Sequence, residues 1–153
     1  MNTAFAFGCA EVWLVGSSKD EKKASLMSRQ FRHAVEQQQI LLVVFAKWKD
    51  VLEHLRNNPG IALVGVEIDK QSHVLNDRDA TPPFLSQNRD LAILMGNEGQ
   101  GILPNHIPAC EGRLIRIPQY GAGTASFNVN IACSIALYHF HQWRHRAMTG
   151  QIG

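Results

Sequence analysis

A glycine-rich hexapeptide, GNEGQG at residues 96–101, is the first stretch of the chain whose composition could support chemistry. It follows an apolar run and combines three glycines with one carboxylate, Glu98. Glycine tolerates positive φ angles and lets the backbone approach another group closely. Such a loop favours main-chain contacts with a ligand that carries positive charge or donates hydrogen bonds. A purely structural turn between a strand and a helix is the simpler alternative.

Phosphate binding is a poor explanation of this hexapeptide. A P-loop requires a lysine and a hydroxyl residue after its last glycine, and the dinucleotide fingerprint requires the spacing G-x-G-x-x-G. The spacing here is G-x-x-G-x-G, followed by Ile102-Leu103-Pro104, and Glu98 would repel a phosphate. A nucleotide-binding α/β protein without transferase activity therefore remains only as the least favoured alternative.

A second glycine-rich stretch, IPQYGAGTASFN at residues 117–128, leads from a predicted strand into the last predicted helix. Thr124, Ser126 and Asn128 precede that helix. Their side chains can accept hydrogen bonds from the unpaired backbone amides of a first helical turn, so each is a candidate N-cap.

Apolar runs and helical periodicity predict the elements that position these loops. Strands are predicted at 12–15, 40–45, 61–66, 91–95 and 114–117, and helices at 24–39, at 48–57 with Asp50 as a cap, and at roughly 128–146. The stretch 70–88 is expected to be a loop. Nearly continuous apolarity in the strands indicates that both sheet faces are covered. The pattern therefore predicts an α/β fold, a mostly parallel sheet flanked by helices.

The last predicted helix is apolar nearly all round over residues 129–140, whereas its end is polar and basic. A helix of this kind is buried on several sides, inside the molecule or against a second subunit. Basic residues also collect near the glycine-rich stretches: Arg113, Arg116, Arg144 and Arg146. The net charge of +2 is too small to establish a polyanionic partner, and a solvated basic face is an equal alternative.

Length and composition limit the class of protein. A chain of 153 residues suffices for one core, and we expect a single domain over residues 1–153. Three cysteines, Cys9, Cys110 and Cys133, without a C-x-x-C pair argue against a disulfide framework and a zinc site, and favour buried apolar roles. No apolar run approaches the roughly 18 residues that cross a bilayer. We therefore expect a soluble, cytoplasmic protein without metal or membrane binding.

Taken together, the two loops resemble a known pair of motifs. G-N-E-G-x-G, followed some twenty residues later by I-P-x-x-G-x-x-x-S-[LF]-N-V, is similar to the second and third motifs of the SpoU/TrmH family. These are S-adenosylmethionine-dependent RNA ribose 2′-O-methyltransferases of the SPOUT superfamily. Residues 3–17 are similar to the end of the first motif and the strand after it. FRHAVE, GVE and IPQ are most similar to eukaryotic catalytic domains that methylate a guanosine of the tRNA D-loop.

The resemblance implies a deep trefoil knot at the C-terminus, a homodimer built with the last helix, and RNA, most of all tRNA, as substrate. It implies that S-adenosylmethionine is held mainly by backbone groups, with close approach at Gly96, Gly99, Gly101, Gly121 and Gly123. The implied catalytic residues are Glu98, Ser126 and Asn128. The implied cofactor-binding residues are Val66, Glu67, Met95, Gly96, Asn97, Gly99, Ile117, Gln119, Ser126, Phe127 and Asn128.

The chain departs from the family at its N-terminus. In the first motif, N-x-G-x-x-x-R-T-A-x-A-F-G, the arginine assists deprotonation of the 2′-hydroxyl, and alignment places that arginine at Asn2. The first strand and the start of the motif are absent from this sequence. Either the chain begins too late, or the protein is a noncatalytic accessory subunit that binds S-adenosylmethionine or RNA. The resemblance thus implies cofactor binding with poor methyl transfer.

Overall fold

The structure is a computed structural model that describes residues 1–16, 27–75, 82, 84, 89–97, 99–121 and 127–149. Residues 147–149 are described as helical backbone only. Its contacts divide it into two compact units, Met1–Asn58 and Pro59–Gly153. The single domain expected over 1–153 and the absent first strand stay predictions. None of the helices among the described residues is long and apolar enough to span a membrane.

The first unit contains a two-stranded parallel sheet and three described helices. Their bounds are α1 Asn2–Ala6, β1 Glu11–Val15, α2 Arg29–Glu36, β2 Leu41–Phe45 and α3 Trp48–Asn57. β1 and β2 pair in parallel, from Glu11 opposite Leu41 to Val15 opposite Phe45. Both strands lie within one residue of the predicted bounds, because short β-branched runs between turn signals define strands locally.

Capping explains where two of these helices begin. Ser28 has extended backbone and its hydroxyl accepts a 3.1 Å hydrogen bond from the Phe31 amide, so α2 starts at Arg29. The predicted start at 24 was therefore too early, although residues 24–26 lie outside the described part. The helix α3 has the predicted bounds, but its N-cap is Lys47. Asp50 instead accepts a 2.9 Å hydrogen bond from the Lys47 amide, which is the reciprocal half of a capping box.

The second unit carries four parallel strands. Its elements are β3 Ile61–Val66, β4 His73–Val74, β5 Asp90–Met95, a 3₁₀ turn Ile107–Cys110, β6 Leu114–Arg116 and α4 Val129–Thr149. The strand order is β4-β6-β3-β5, and every pairing is parallel. The centre of β3 is buried from Ala62 to Gly65, as continuous apolarity predicted. The expectation of an α/β fold with a mostly parallel sheet is confirmed, whereas the knot stays a prediction.

The strand β4 was not predicted, because it falls in the stretch expected to be a loop. It has only two residues and pairs with β6 through backbone hydrogen bonds, His73 opposite Ile115 and Val74 opposite Arg116. Its sequence carries no run of apolar side chains, so side-chain patterning could not indicate it.

One face of α4 covers this sheet. Ala136, Phe140 and Trp143, spaced along one helical face, pack with Val64 and Ile115 in a common buried cluster. Trp143 is 2% exposed and contacts the Phe140 ring edge-on at 5.6 Å between centroids. This packing holds the start of α4 close to the carboxyl ends of β3 and β6, where the candidate site lies.

Candidate functional site

A pocket of about 260 Å³ lies where the strands β3, β5 and β6 end. Val66 pairs with both Met95 and Ile115, so the three carboxyl ends are adjacent. Ligands of open parallel sheets bind outside the carboxyl ends of the strands, which makes this the expected place for a site. The described lining residues are Val66, Glu67, Ile68, Met95, Gly96, Asn97, Gly99, Gln100, Gly101, Arg116, Ile117, Gln119, Phe127, Val129 and Ala132.

The structure brings most of the predicted cofactor-binding residues to this pocket. Those that line it are Val66, Glu67, Met95, Gly96, Asn97, Gly99, Ile117, Gln119 and Phe127. Asn128 does not line it, and Glu98 and Ser126 lie outside the described residues. Their roles in binding and catalysis stay predictions.

Five lining residues were not predicted to bind the cofactor: Ile68, Gln100, Arg116, Val129 and Ala132. Arg116 had a signal in the sequence, because it stands at the end of a predicted strand immediately before the second glycine-rich stretch.

The glycine-rich hexapeptide forms a tight turn, here named the glycine turn and described at residues 96–97 and 99–102. The Asn97 amide donates to the Gly101 carbonyl at 3.1 Å, and the Gly101 amide donates back to the Asn97 carbonyl at 3.0 Å. The Asn97 side-chain oxygen accepts a third hydrogen bond from the Gly99 amide at 2.9 Å. The turn therefore satisfies several of its own polar groups before any ligand is considered.

Glycine is required in this turn by the protein itself. A Cβ atom at Gly96 would overlap the backbone of Gly101 and Ile102, and Gly101 has a φ of +65°. Folding of the turn thus already excludes larger residues at Gly96 and Gly101, whereas close approach of the cofactor to these glycines stays a prediction. At Gly121 a Cβ atom would meet nothing within 4 Å, and this residue does not line the pocket. Gly123 lies outside the described residues.

Glu67 fastens the glycine turn to β3. One carboxylate oxygen accepts a 2.8 Å hydrogen bond from the Ile102 amide, and the other accepts a 2.8 Å hydrogen bond from the Ile68 amide. The Glu67 amide donates to the Ile115 carbonyl at 2.9 Å, so the same residue also joins β6. Glu67 was expected to contact the cofactor. Its two oxygens bind protein amides, and it thus has a positioning role that the sequence analysis missed.

Asn128 caps α4. Its side-chain oxygen accepts a 2.9 Å hydrogen bond from the Asn130 amide, and its carbonyl accepts one from the Ala132 amide at 2.9 Å. The capping alternative is therefore observed for Asn128. The other two cap candidates, Thr124 and Ser126, lie outside the described residues. By holding the first turn, Asn128 positions Val129 and Ala132 at the pocket wall.

The arginines near the site have different surroundings. The Arg113 Nε donates to the Leu63 carbonyl at 3.0 Å, and a terminal nitrogen pairs with the Glu111 carboxylate at 2.8 Å. The Arg144 guanidinium is 3.7 Å from the Asp90 carboxylate at the surface. Arg116 lines the pocket, and its Nε is buried without a hydrogen-bond partner in the described part of the chain. Among the described residues, the pocket wall thus includes a guanidinium whose Nε has no hydrogen-bond partner.

Burial makes Cys110 and Cys133 poor candidates for a nucleophile. Burial raises the pKa of the Cys110 thiol to about 11, so this side chain stays protonated at neutral pH. Burial also raises the pKa of Cys133. Within the described ranges, no group of three or more His, Cys, Asp or Glu residues could hold a metal ion.

Solved methyltransferase structures share this fold. The AdoMet-bound rRNA methyltransferase from Sinorhizobium meliloti is 26% identical, with a TM-score of 0.62 over 92% of this chain and 48% of that chain. The A. aeolicus TrmH/SpoU tRNA modifying enzyme is 20% identical, with a TM-score of 0.69 over 94% and 66%. An RNA 2′-O ribose methyltransferase is 21% identical, with a TM-score of 0.64 over 94% and 49%.

The chain thus spans between 48% and 66% of the length of these three proteins. No curated protein sequence matches it. The family model described as the SpoU rRNA Methylase family matches residues 1–138, which include both glycine-rich stretches and the strands that carry them. The motif resemblance is thereby confirmed, and this chain belongs to the SpoU rRNA Methylase family.

Proposed function

We propose that this chain binds S-adenosylmethionine in the pocket at the ends of β3, β5 and β6, and that it serves methylation of a ribose 2′-hydroxyl in tRNA. The observation that carries the proposal is the pocket itself, because both family motifs meet there. Gly96 and Asn97 come from the second motif, and Ile117 and Phe127 come from the third. The AdoMet bound to the Sinorhizobium meliloti relative supports the choice of cofactor.

The chemistry of the pocket fits this ligand. Val66, Met95 and Ile117 offer apolar walls for a flat adenine ring, and the glycine turn exposes backbone groups beside them. Arg116 offers a cation to an anionic group. S-adenosylmethionine has an adenine, a carboxylate and a sulfonium, and when bound it supplies the methyl group. The pocket therefore contains a complementary surface for two of these three parts.

The residues of this chain contribute mainly orientation. Methyl transfer is an in-line displacement, so its rate depends on how well the acceptor oxygen and the methyl carbon are held in line. Glu67 holds the glycine turn, and Asn128 holds the first turn of α4, on two sides of the pocket. Rigid walls of this kind lower the entropic cost of alignment. The family resemblance supports Glu98, Ser126 and Asn128 as the proposed catalytic residues.

A noncatalytic accessory subunit is the second candidate, and Asn2 favours it. Asn2 stands where the family motif has its arginine, and its neutral amide cannot act as a cation or a general base. Its side-chain oxygen accepts a 2.6 Å hydrogen bond from the Ser28 hydroxyl, which gives it a structural role near the start of α2. Cofactor binding and methyl transfer should therefore separate in this chain.

Binding and transfer can be measured side by side. Calorimetry with S-adenosylhomocysteine should show binding to the unaltered chain and its loss in Gly96→Trp. Gly60→Trp is the matched control, because Gly60 lies outside the pocket and has open space around it. Equal affinity in both variants would place the cofactor elsewhere.

Labelled methyl transfer to bulk tRNA then separates the two candidates. We expect poor transfer by the unaltered chain, little gain from Asn2→Arg, and a large gain from an upstream extension that carries the family arginine. A single catalytic group misplaced by about 1 Å loses on the order of 10²-fold, which is why the substitution alone should fail. Full activity of the unaltered chain would refute the assignment of Asn2. The choice of tRNA as substrate is supported by the A. aeolicus relative and by the resemblance to the domains that methylate the D-loop. Transfer to rRNA but not to tRNA would refute this choice.

The proposal includes a homodimer, a C-terminal knot and a cytoplasmic location. Ile131 and Tyr138 are 51% and 50% exposed, and their spacing of seven residues puts them on one face of α4. An apolar face of this kind favours a second copy. Sedimentation should give a dimer at micromolar concentration and a monomer for Tyr138→Lys. A monomeric unaltered chain would contradict the dimer. An experimental trace without threading of residues 113–140 would contradict the knot.

A further inference from the structure

The starting point is Arg116, the arginine in the wall of the pocket. The Arg116 Nε is buried and has no hydrogen-bond partner in the described part of the chain. Buried donors are nearly always paired, and an unpaired charged donor costs more than a neutral one. The protein tolerates this cost at a residue that lines the candidate pocket. Because Nε has no accessible surface, a ligand in the pocket would reach this guanidinium at its terminal nitrogens and would neutralise the positive charge that Nε shares with them.

The rest of the guanidinium is available to a ligand. Among the nitrogens of Arg116, only Nε is both enclosed and unpaired, so the two terminal nitrogens retain access to solvent or to the pocket. Arg113, just before the same strand, differs because its nitrogens are bound to Leu63 and Glu111. Arg113 therefore has a structural role, whereas Arg116 keeps donors without a partner among the described contacts.

We infer that Arg116 binds the carboxylate of the methionine tail of S-adenosylmethionine, an inference that rests on the proposed function. The guanidinium fork matches a carboxylate in size and charge, and such pairs are often bidentate. In S-adenosylmethionine the carboxylate is the only anionic group, and the sulfonium is a cation that Arg116 repels. The charge of Arg116 therefore sets the direction of the ligand, with the tail towards β6 and the sulfonium further away.

A phosphate of the RNA is the competing anion, and the position of Arg116 in the wall of the pocket argues against it. Its Nε has no solvent access, and the residue shares the cavity with the glycine turn and the apolar residues Val66 and Met95. A small ligand that fills the cavity reaches this site directly. Phosphates of a folded RNA sit on its outer surface and are more easily met by exposed cations, such as Arg144 with 62% of its side chain exposed.

Two ligands that differ in the tail test the inference. S-adenosylhomocysteine carries the carboxylate, whereas 5′-methylthioadenosine has the same adenosine and a thioether sulfur but no amino-acid tail. Calorimetry on the unaltered chain, Arg116→Gln, Arg116→Lys and the control Arg144→Gln measures both affinities. In Arg116→Gln we expect S-adenosylhomocysteine to bind about 10- to 100-fold more weakly, as for loss of a charged hydrogen bond. Methylthioadenosine should keep its affinity, which also shows that the variant is folded. Arg116→Lys should recover part of the loss, and Arg144→Gln should change neither ligand.

Three results would overturn the inference. Equal weakening of both ligands in Arg116→Gln would mean that Arg116 shapes the pocket and does not bind the tail. Unchanged affinity for S-adenosylhomocysteine, together with a salt dependence of tRNA binding reduced by about one phosphate contact, would assign Arg116 to RNA. Failure of both ligands to bind the unaltered chain would refute the proposed function and the inference with it. Failure of the proposed function is distinguishable from failure of the inference, because the first is seen with the unaltered chain alone and the second only when variants are compared.

Discussion

Substitution of Glu67 by glutamine tests whether this residue fastens the glycine turn. The two carboxylate oxygens accept 2.8 Å hydrogen bonds from the Ile102 and Ile68 amides. Glutamine keeps one acceptor oxygen but places an NH₂ group against the other amide, so one hydrogen bond is lost and a donor faces a donor. Hydrogen bonds to charged groups contribute about 1.5–3 kcal/mol. The Ile68 side of this pair is exposed and contributes less, whereas Ile102 is 5% exposed.

We therefore expect Glu67→Gln to lower the free energy of unfolding by about 2 kcal/mol, measured by denaturant titration. Asp69→Asn is the matched control. Asp69 accepts a single 2.7 Å hydrogen bond from the Gln71 amide in an exposed turn, and the asparagine oxygen can still accept it, so this substitution should cost under about 1 kcal/mol. Hydrogen exchange should also quicken at the Ile102 amide in Glu67→Gln. If Glu67→Gln is as stable as Asp69→Asn and exchange at Ile102 is unchanged, the positioning role is wrong.

Four further predictions concern the packing of the second unit. Gly101→Ala should cost about 1–2 kcal/mol more than Gly112→Ala, because both have positive φ but only the first would place a Cβ 2.7 Å from the Glu67 carboxylate; equal losses would exclude this clash. Trp143→Ala should cost about 3–5 kcal/mol and half-exposed Tyr138→Ala under about 1, by denaturant unfolding; similar losses would contradict the burial of Trp143. With its pKa raised to about 11, Cys110 should resist iodoacetamide at pH 8 until unfolding, and rapid labelling of the native protein would contradict this. Stability should also fall as pH rises above the ordinary thiol pKa of 9.0, since the unfolded thiol ionises first.

Local sequence patterns determined much of the fold. The strands β2, β3 and β5 lie within one residue of their predicted bounds, because the ends of an apolar run between turn signals mark the ends of the strand. The bounds of α3 were predicted without error, since its periodicity stops at Asn58-Pro59-Gly60. The two glycine-rich stretches indicated the family and most of the pocket lining, because residues at the carboxyl ends of parallel strands meet at one edge.

Tertiary structure alone decided the roles of the charged residues and of the glycines. Glu67 bonds an amide 35 residues away, and Arg113 bonds a carbonyl 50 residues away. No local pattern indicates which backbone groups lack partners once the chain is packed, so a carboxylate in a motif could equally bind a ligand or an amide. The same limit applies to Gly96, whose neighbours across the turn exclude a Cβ. It applies most of all to Arg116, because no local pattern indicates that its Nε lacks a hydrogen-bond partner among the described residues. The sequence by itself determined which segments meet at the pocket, and the packing of distant backbone groups decided what each side chain there is free to bind.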